Sequence, residues 1–270
     1  MKGAKKIKQF NKRMIIAGNV IEIYEYEKPI FKGFEKKRVG RRNSLNTSEE
    51  VKAHNRGKTA QRGRAKVRRM VNANPQLNKF LTLTYAKNVT DLDTAWKDYD
   101  LFVKRIKTRF DHFQYVIVVE FQERGAIHFH LLCNLPYVDV NELREIWGKG
   151  FVKINRIDDV DNVGAYITKY MTKENADSRL IGRKCYSMSR DLKQPDVYTK
   201  DEEIDEVLES LENVKRTHST EFESEYYGVI TYTQVVCSAP IVTARKGWRD
   251  FFRRFCNRLI PLPDDTPCPF

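Results

Sequence analysis

The sequence predicts an α+β fold built on a central antiparallel sheet. The first observation is four β-branched or aromatic runs between residues 80 and 155. The second is helical spacing of apolar residues in two of the stretches that separate them. Phe80-Leu81-Thr82-Leu83-Thr84-Tyr85 reads as the first strand. Asp93 stands as cap to a helix whose Trp96, Tyr99, Phe102, Val103, Ile106 and Phe110 recur at i, i+3, i+4 spacing. Tyr115 to Phe121 and Ile127 to Leu132 read as a hairpin, ended by Leu135-Pro136. Asp139 or Asn141 opens a short helix through Leu143, Ile146 and Trp147, and Gly150 to Asn155 forms the fourth strand. The order is β-α-β-β-α-β, the split ferredoxin-like arrangement, with helices expected on one face of the sheet. That order alone permits a nucleic-acid-binding module as readily as an enzyme.

The hairpin carries chemistry. If Glu123-Arg124-Gly125 is a three-residue loop ending on a left-handed glycine, Gln122 pairs with Ala126. Counting back, Glu120 lies across from His128, and Val118 across from His130. Residues i and i+2 of a strand share a face, so two imidazoles and a carboxylate converge there. Glu120, His128 and His130 are the candidate ligands of a divalent metal, with Glu123 in the turn and outside the site. An H-x-H pair alone fits two structural histidines equally well. A second motif shifts the balance.

That motif lies on a helix expected from Asp159 to Lys173, packed through Val160, Val163, Gly164, Ile167 and Met171. Tyr170 projects at the edge of this stripe, with Tyr166, Lys173 and Lys169 further round one shoulder. Alone, it would read as an amphipathic helix with aromatic shoulders.

Charge is unevenly placed. Residues 1–79 hold 22 Lys/Arg against 6 Asp/Glu, while residues 80–270 hold 27 against 30. The imbalance points to a polyanion, and nucleic acid is favoured over a membrane because no strongly apolar helical face accompanies it. Residues 1–16 read as a basic arm, Val20 to Tyr26 as a short strand, and Glu35 to Arg42 as a basic loop. Thr47-Ser48-Glu49-Glu50 resembles a helix start. The run after it, Arg56, Lys58, Arg62, Arg64, Lys66, Arg68 and Arg69, is the candidate for phosphate contacts, although Gly57 and Gly63 weaken it as one helix. Gly57-Lys58-Thr59 lacks the upstream glycine and strand context of a P-loop.

Downstream, Arg183 to Leu192 suggests a strand and turn, Asp201 to Val214 an acidic helix, and Tyr226 to Val236 a strand. Arg245 to Leu259 suggests a basic-aromatic helix, followed by a disordered tail from Pro261. The expected organisation is a basic DNA-contacting region (1–79), a core (80–195), an extension packed on that core (196–260) and the tail (261–270). No apolar run is long enough to span a bilayer, and the basic N-terminus lacks the apolar segment of a secretory signal. Five scattered cysteines without C-x-x-C spacing suit free thiols in the cytoplasm.

Together the motifs resemble the HUH endonucleases, specifically the two-tyrosine rolling-circle replication initiators of plasmids and phages. The resemblance rests on the first strand, the Glu120 to His130 hairpin and Y-x-x-K-Y-x-x-K at Tyr166 to Lys173, and covers residues 80–195. The tyrosines follow the histidines, the reverse of relaxases. It implies tyrosine attack on a DNA phosphodiester, a 5′-phosphotyrosine intermediate, and Mn²⁺ or Mg²⁺ on Glu120, His128 and His130. It implies Tyr166 and Tyr170 as nucleophiles, with Lys169 and Lys173 able to stabilise phenolate or phosphate. It also implies single-stranded origin DNA as substrate and a separate helicase, since no P-loop is present. The alternatives are a two-tyrosine transposase and a non-enzymatic RRM-like binder.

Overall fold

The computed structural model describes residues 8–33, 48–157, 162–171, 183–211 and 214–241. The chain opens on a long hairpin rather than an arm. β1 (Lys8–Ala17) and β2 (Val20–Lys32) pair antiparallel across a turn at Gly18, whose φ of +63° suits glycine. The basic arm expected over residues 1–16 is a strand from Lys8 onward, because burial of Phe10, Met14, Ile15 and Ile16 outweighs the cations between them. The short strand expected at Val20 to Tyr26 continues to Lys32.

α1 (Glu49–Asn72) starts where the sequence signalled it, with the Ser48 side chain accepting from the Val51 amide. It runs unbroken through Gly57 and Gly63. Buried Val67, Met70 and Val71 anchor its second half. β3 (Lys79–Tyr85), α2 (Leu92–Arg109), β4 (Tyr115–Phe121), β5 (Ile127–Cys133), α3 (Val140–Trp147) and β6 (Gly150–Arg156) follow. The cap of α2 is Asp91, not Asp93: its carboxylate accepts from the Thr94 amide at 2.9 Å. Asp139 caps α3.

α4 (Val163–Ile167) is five residues long and tightens into a 3₁₀ turn at Thr168–Tyr170. The Thr168 hydroxyl donates back to the Gly164 and Ala165 carbonyls, which draws the turn in. The long helix expected from Asp159 to Lys173 is therefore two short pieces; Asp159, Val160 and Lys173 lie outside the described residues. β7 (Tyr186–Met188), β8 (Asp196–Tyr198), α5 (Asp201–Glu209), β9 (Val214–Ser224) and β10 (Gly228–Cys237) complete the described chain. α5 stops at Glu209, and Val214, expected in that helix, begins β9. The basic loop at Glu35 to Arg42, the helix expected at Arg245 to Leu259 and the tail from Pro261 lie outside the described residues.

The strands form two antiparallel sheets, ordered β6-β3-β5-β4-β7 and β8-β1-β2-β10-β9. Leu81, Leu83, Ile117, Val119, Phe129 and Leu131 of the first sheet pack against Tyr99, Phe102 and Ile106 of α2 and Trp147 of α3. The opposite face, with Phe80, Val116, Val118 and Leu132, is covered by Val67, Met70 and Val71 of α1 and by Ile167 of α4. Helices thus cover both faces, where one was expected, because α1 folds back onto the second.

In the other sheet, Met14, Ile16, Ile21, Ile23 and Val235 enclose Ile204 of α5. Strands from before residue 79 pair with strands from after residue 195, so those expected boundaries do not separate packed units. The segment from 196 completes the sheet of β1 and β2 instead of packing as an extension on the core. Among the described residues, no helix is long and apolar enough to cross a membrane. Cys133, Cys185 and Cys237 are free thiols.

Candidate functional site

The β4–β5 hairpin closes as the loop spacing requires. Gln122 and Ala126 face each other, the Gln122 amide donating to the Ala126 carbonyl at 2.9 Å, and Gly125 has φ +85°. Glu120 pairs with His128 and Val118 with His130. Ligand atoms of Glu120, His128 and His130 all lie within 4.8 Å of one another. Glu123 sits in the turn.

Electrostatics set each group. His130 is buried; its Nε2 is 2.7 Å from Glu120 Oε2 and its Nδ1 is 3.2 Å from Thr82 Oγ1. Thr82 stands directly across β3 and orients the ring so that Nε2 faces the carboxylate. The hydrogen bond from His130 holds the Glu120 carboxyl below its usual range, although burial opposes it. Burial, followed by the neighbouring His130, lowers the pKa of His128 and keeps it neutral. His128 Nε2 is buried without a hydrogen-bond partner. A neutral imidazole with an orphaned nitrogen beside a carboxylate and a second imidazole is the donor set a divalent cation takes. The residues fit such an ion on that ground.

The tyrosine segment lies over this cluster. The Tyr170 ring stacks on His130 with centroids 3.9 Å apart and planes 24° apart. Tyr166 meets Tyr170 edge-on at 6.0 Å. Lys169 is exposed, with its Nζ 5.4 Å over the Tyr166 ring. Burial first, then hydrogen bonding with Tyr166 and the nearby Glu120 charge, pushes the Tyr170 hydroxyl up to about 12.

Residues 78–175 match the family model of the replication-associated protein ORF2. The matched segment runs from β3 through the tyrosines and includes the whole Glu-His-His cluster. The likeness supports a replication-associated protein of the rolling-circle initiator kind. Comparison with curated proteins and with solved structures gave no match.

Two supporting residues escaped the sequence reading. Phe80 contacts His130, Tyr166 and Tyr170 at centroid distances of 5.7, 5.3 and 5.5 Å, forming the floor of the stack. Period-two alternation puts Phe80, Thr82 and Thr84 on the histidine face, so Phe80 and Thr82 were within reach of pattern reasoning. Asn72 was not: its Oδ1 accepts from the Gly164 amide and its Nδ2 donates to Asn162 Oδ1, tying α4 to α1 from 92 and 90 residues away.

The basic run is not drawn into the cluster as a whole. Arg68 and Arg69 are engaged by Glu22 of β2, at 2.6 Å and, through Arg69 Nε, 2.8 Å. Lys58, Arg62 and Lys66 are exposed along α1, Arg64 is half-buried, and Arg56 has a partner of its own.

Proposed function

We propose that the chain is a rolling-circle replication initiator of the HUH two-tyrosine type, nicking and rejoining single-stranded origin DNA. The observation that carries this reading is the Tyr170 ring stacked at 3.9 Å on a histidine of the Glu120, His128, His130 cluster. The β-α-β-β-α-β order and the β6-β3-β5-β4 strand order support a ferredoxin-like HUH core. A purely structural histidine pair leaves the orphaned His128 Nε2 without an explanation.

Glu120, His128 and His130 would hold Mn²⁺ or Mg²⁺, which when bound supplies Lewis-acid polarisation of the scissile phosphate and positive charge against Glu120. The tyrosines supply the nucleophile. The Oη–P bond forms as the P–O3′ bond breaks; the phenol proton is lost to solvent and the 3′ oxygen takes one up. The products are a 5′-phosphotyrosine and a free 3′-OH, and the reverse step rejoins the strand. A hydroxyl pushed up to about 12 is protonated at neutral pH, so Tyr170 needs added positive charge before attack. Lys169 places one cation beside Tyr166; Lys173 is the matching candidate for Tyr170. Unwinding falls to a separate helicase.

The test is incubation with labelled single-stranded candidate origin DNA, with Mn²⁺ or with chelator, followed by denaturing electrophoresis. A protein–DNA adduct formed with Mn²⁺ and absent with chelator is expected. Adduct that persists in chelator, or none under any condition, contradicts the proposal.

A further inference from the structure

α1 sorts its cations into two sets. Arg68 and Arg69 are tied to a carboxylate that is almost fully buried. Lys58, Arg62 and Lys66 point elsewhere, are exposed, and have no acidic partner among the described residues. Spacings of four residues place the three in a row along one flank of the helix. They form one wall of a groove of about 640 Å³ between α1 and the β1–β8 edge of the second sheet. The facing wall is apolar: Ile15 of β1, Pro195, and Val197 of β8, which is 51% exposed.

We propose that this groove holds single-stranded DNA outside the cleavage site, its phosphates on Lys58, Arg62 and Lys66 and its bases on Ile15, Pro195 and Val197. The inference rests on the reading that the chain acts on DNA. Charge complementarity selects a polyanion, since the three cations have nothing else to neutralise them. The apolar wall selects a single strand. A duplex turns only its phosphates outward and stacks its bases inside, so Ile15, Pro195 and Val197 would meet nothing they favour. An unpaired strand offers a charged edge and exposed base faces together.

The position suits DNA that continues from the site. α1 borders both regions: a Cβ placed on Gly63 would lie 3.2 Å from the Tyr186 ring and 3.8 Å from Met171, the residue after Tyr170. Arg62 is the next residue along the helix. A strand held at the tyrosines and a strand in the groove thus lie on two flanks of one helix.

The experiment uses the full chain and a labelled oligothymidylate, titrated over a range of salt concentrations. The combined Lys58→Ala, Arg62→Ala, Lys66→Ala variant is compared with Lys97→Ala, Lys104→Ala, Lys107→Ala, which removes the same charge from the exposed side of α2. Three lost phosphate contacts flatten the slope of log K against log salt by about 2 for a single strand, with affinity falling roughly tenfold or more. The α2 variant is expected to stay near wild type. Equal losses in both variants would overturn the proposal, because net charge alone would then govern binding. So would loss of affinity for a duplex with single-strand affinity retained. Val197→Asp tests the apolar wall: single-strand affinity is expected to fall several-fold, and an unchanged value overturns the proposal. Wild-type adduct formation on a short oligonucleotide keeps the two readings apart. Adduct formation together with unaltered binding by the groove variant removes the groove alone. Absence of both adduct and DNA binding in the wild type removes the functional reading beneath it.

Discussion

Glu22 and Glu120 are both carboxylates on sheet faces toward which α1 packs, and the protein satisfies them in opposite ways. The Glu22 side chain is 3% exposed, with Arg68 on one oxygen and Arg69 on the other. Burial alone would raise its pKa, but Arg69 and Arg68 outweigh that and hold it below its usual range. The Glu120 side chain is 30% exposed; its partner is a histidine, and the second histidine leaves Nε2 unsatisfied. A saturated charge cluster clamps two elements together. An unsaturated one, open on one side and roofed by tyrosine, is prepared for something that arrives later.

Stability measurements sharpen that contrast. Glu22→Ala leaves two partly buried guanidinium groups without their counter-charge and should cost about 3–5 kcal/mol in denaturant unfolding. Its contribution should also depend on pH. A carboxylate with a lowered folded pKa adds stability above its ordinary value of 4.5, and this is lost as pH falls through the folded value. The difference between wild type and Glu22→Gln should therefore shrink in acid; a difference that grows below pH 4.5 would reverse the assignment.

Gly164→Ala comes next in size. Its Cβ would collide with the Arg68 carbonyl and approach Asn72 Oδ1 to 2.8 Å, prising α4 from α1 at an expected cost of about 1–3 kcal/mol. Adduct yield should drop with it, since α4 carries the tyrosines. The smallest stability effect belongs to Glu120→Gln, within about 1 kcal/mol, because an amide can still hydrogen-bond His130. Mn²⁺ titration should nevertheless show a large loss of affinity. If Glu120→Gln destabilises as much as Glu22→Ala and leaves Mn²⁺ binding intact, both clusters are clamps and the contrast disappears.

The first sheet and its cluster were legible because their determinants are local. Gly125 sets the hairpin loop, and strict period-two alternation then aligns Glu120 with the histidines without any long-range information. The second sheet was not. β1 advertises its lysines, and only pairing with β2 and β8 makes Phe10, Met14 and Ile16 a core. β9 is polar along most of its length, so its strand character comes from its partner β10. The division of α1 into clamping and free cations depends on Glu22, 46 residues before Arg68, and no helical periodicity reveals it. The expected long helix at Tyr166 and Tyr170 yielded to Thr168, whose hydroxyl draws the turn in.

The central claim is that the tyrosines over the Glu-His-His cluster perform the strand transfer. The measurement is covalent adduct formation with single-stranded origin DNA by Tyr166→Phe, Tyr170→Phe and the double variant, with peptide mapping of the adduct. The account predicts that Tyr170→Phe loses most initiating activity, since Tyr170 stacks on His130 while Tyr166 rests on Phe80. It predicts that the double variant forms no adduct. Adduct from the double variant, or a mapped peptide outside Tyr166 to Tyr170, would contradict it.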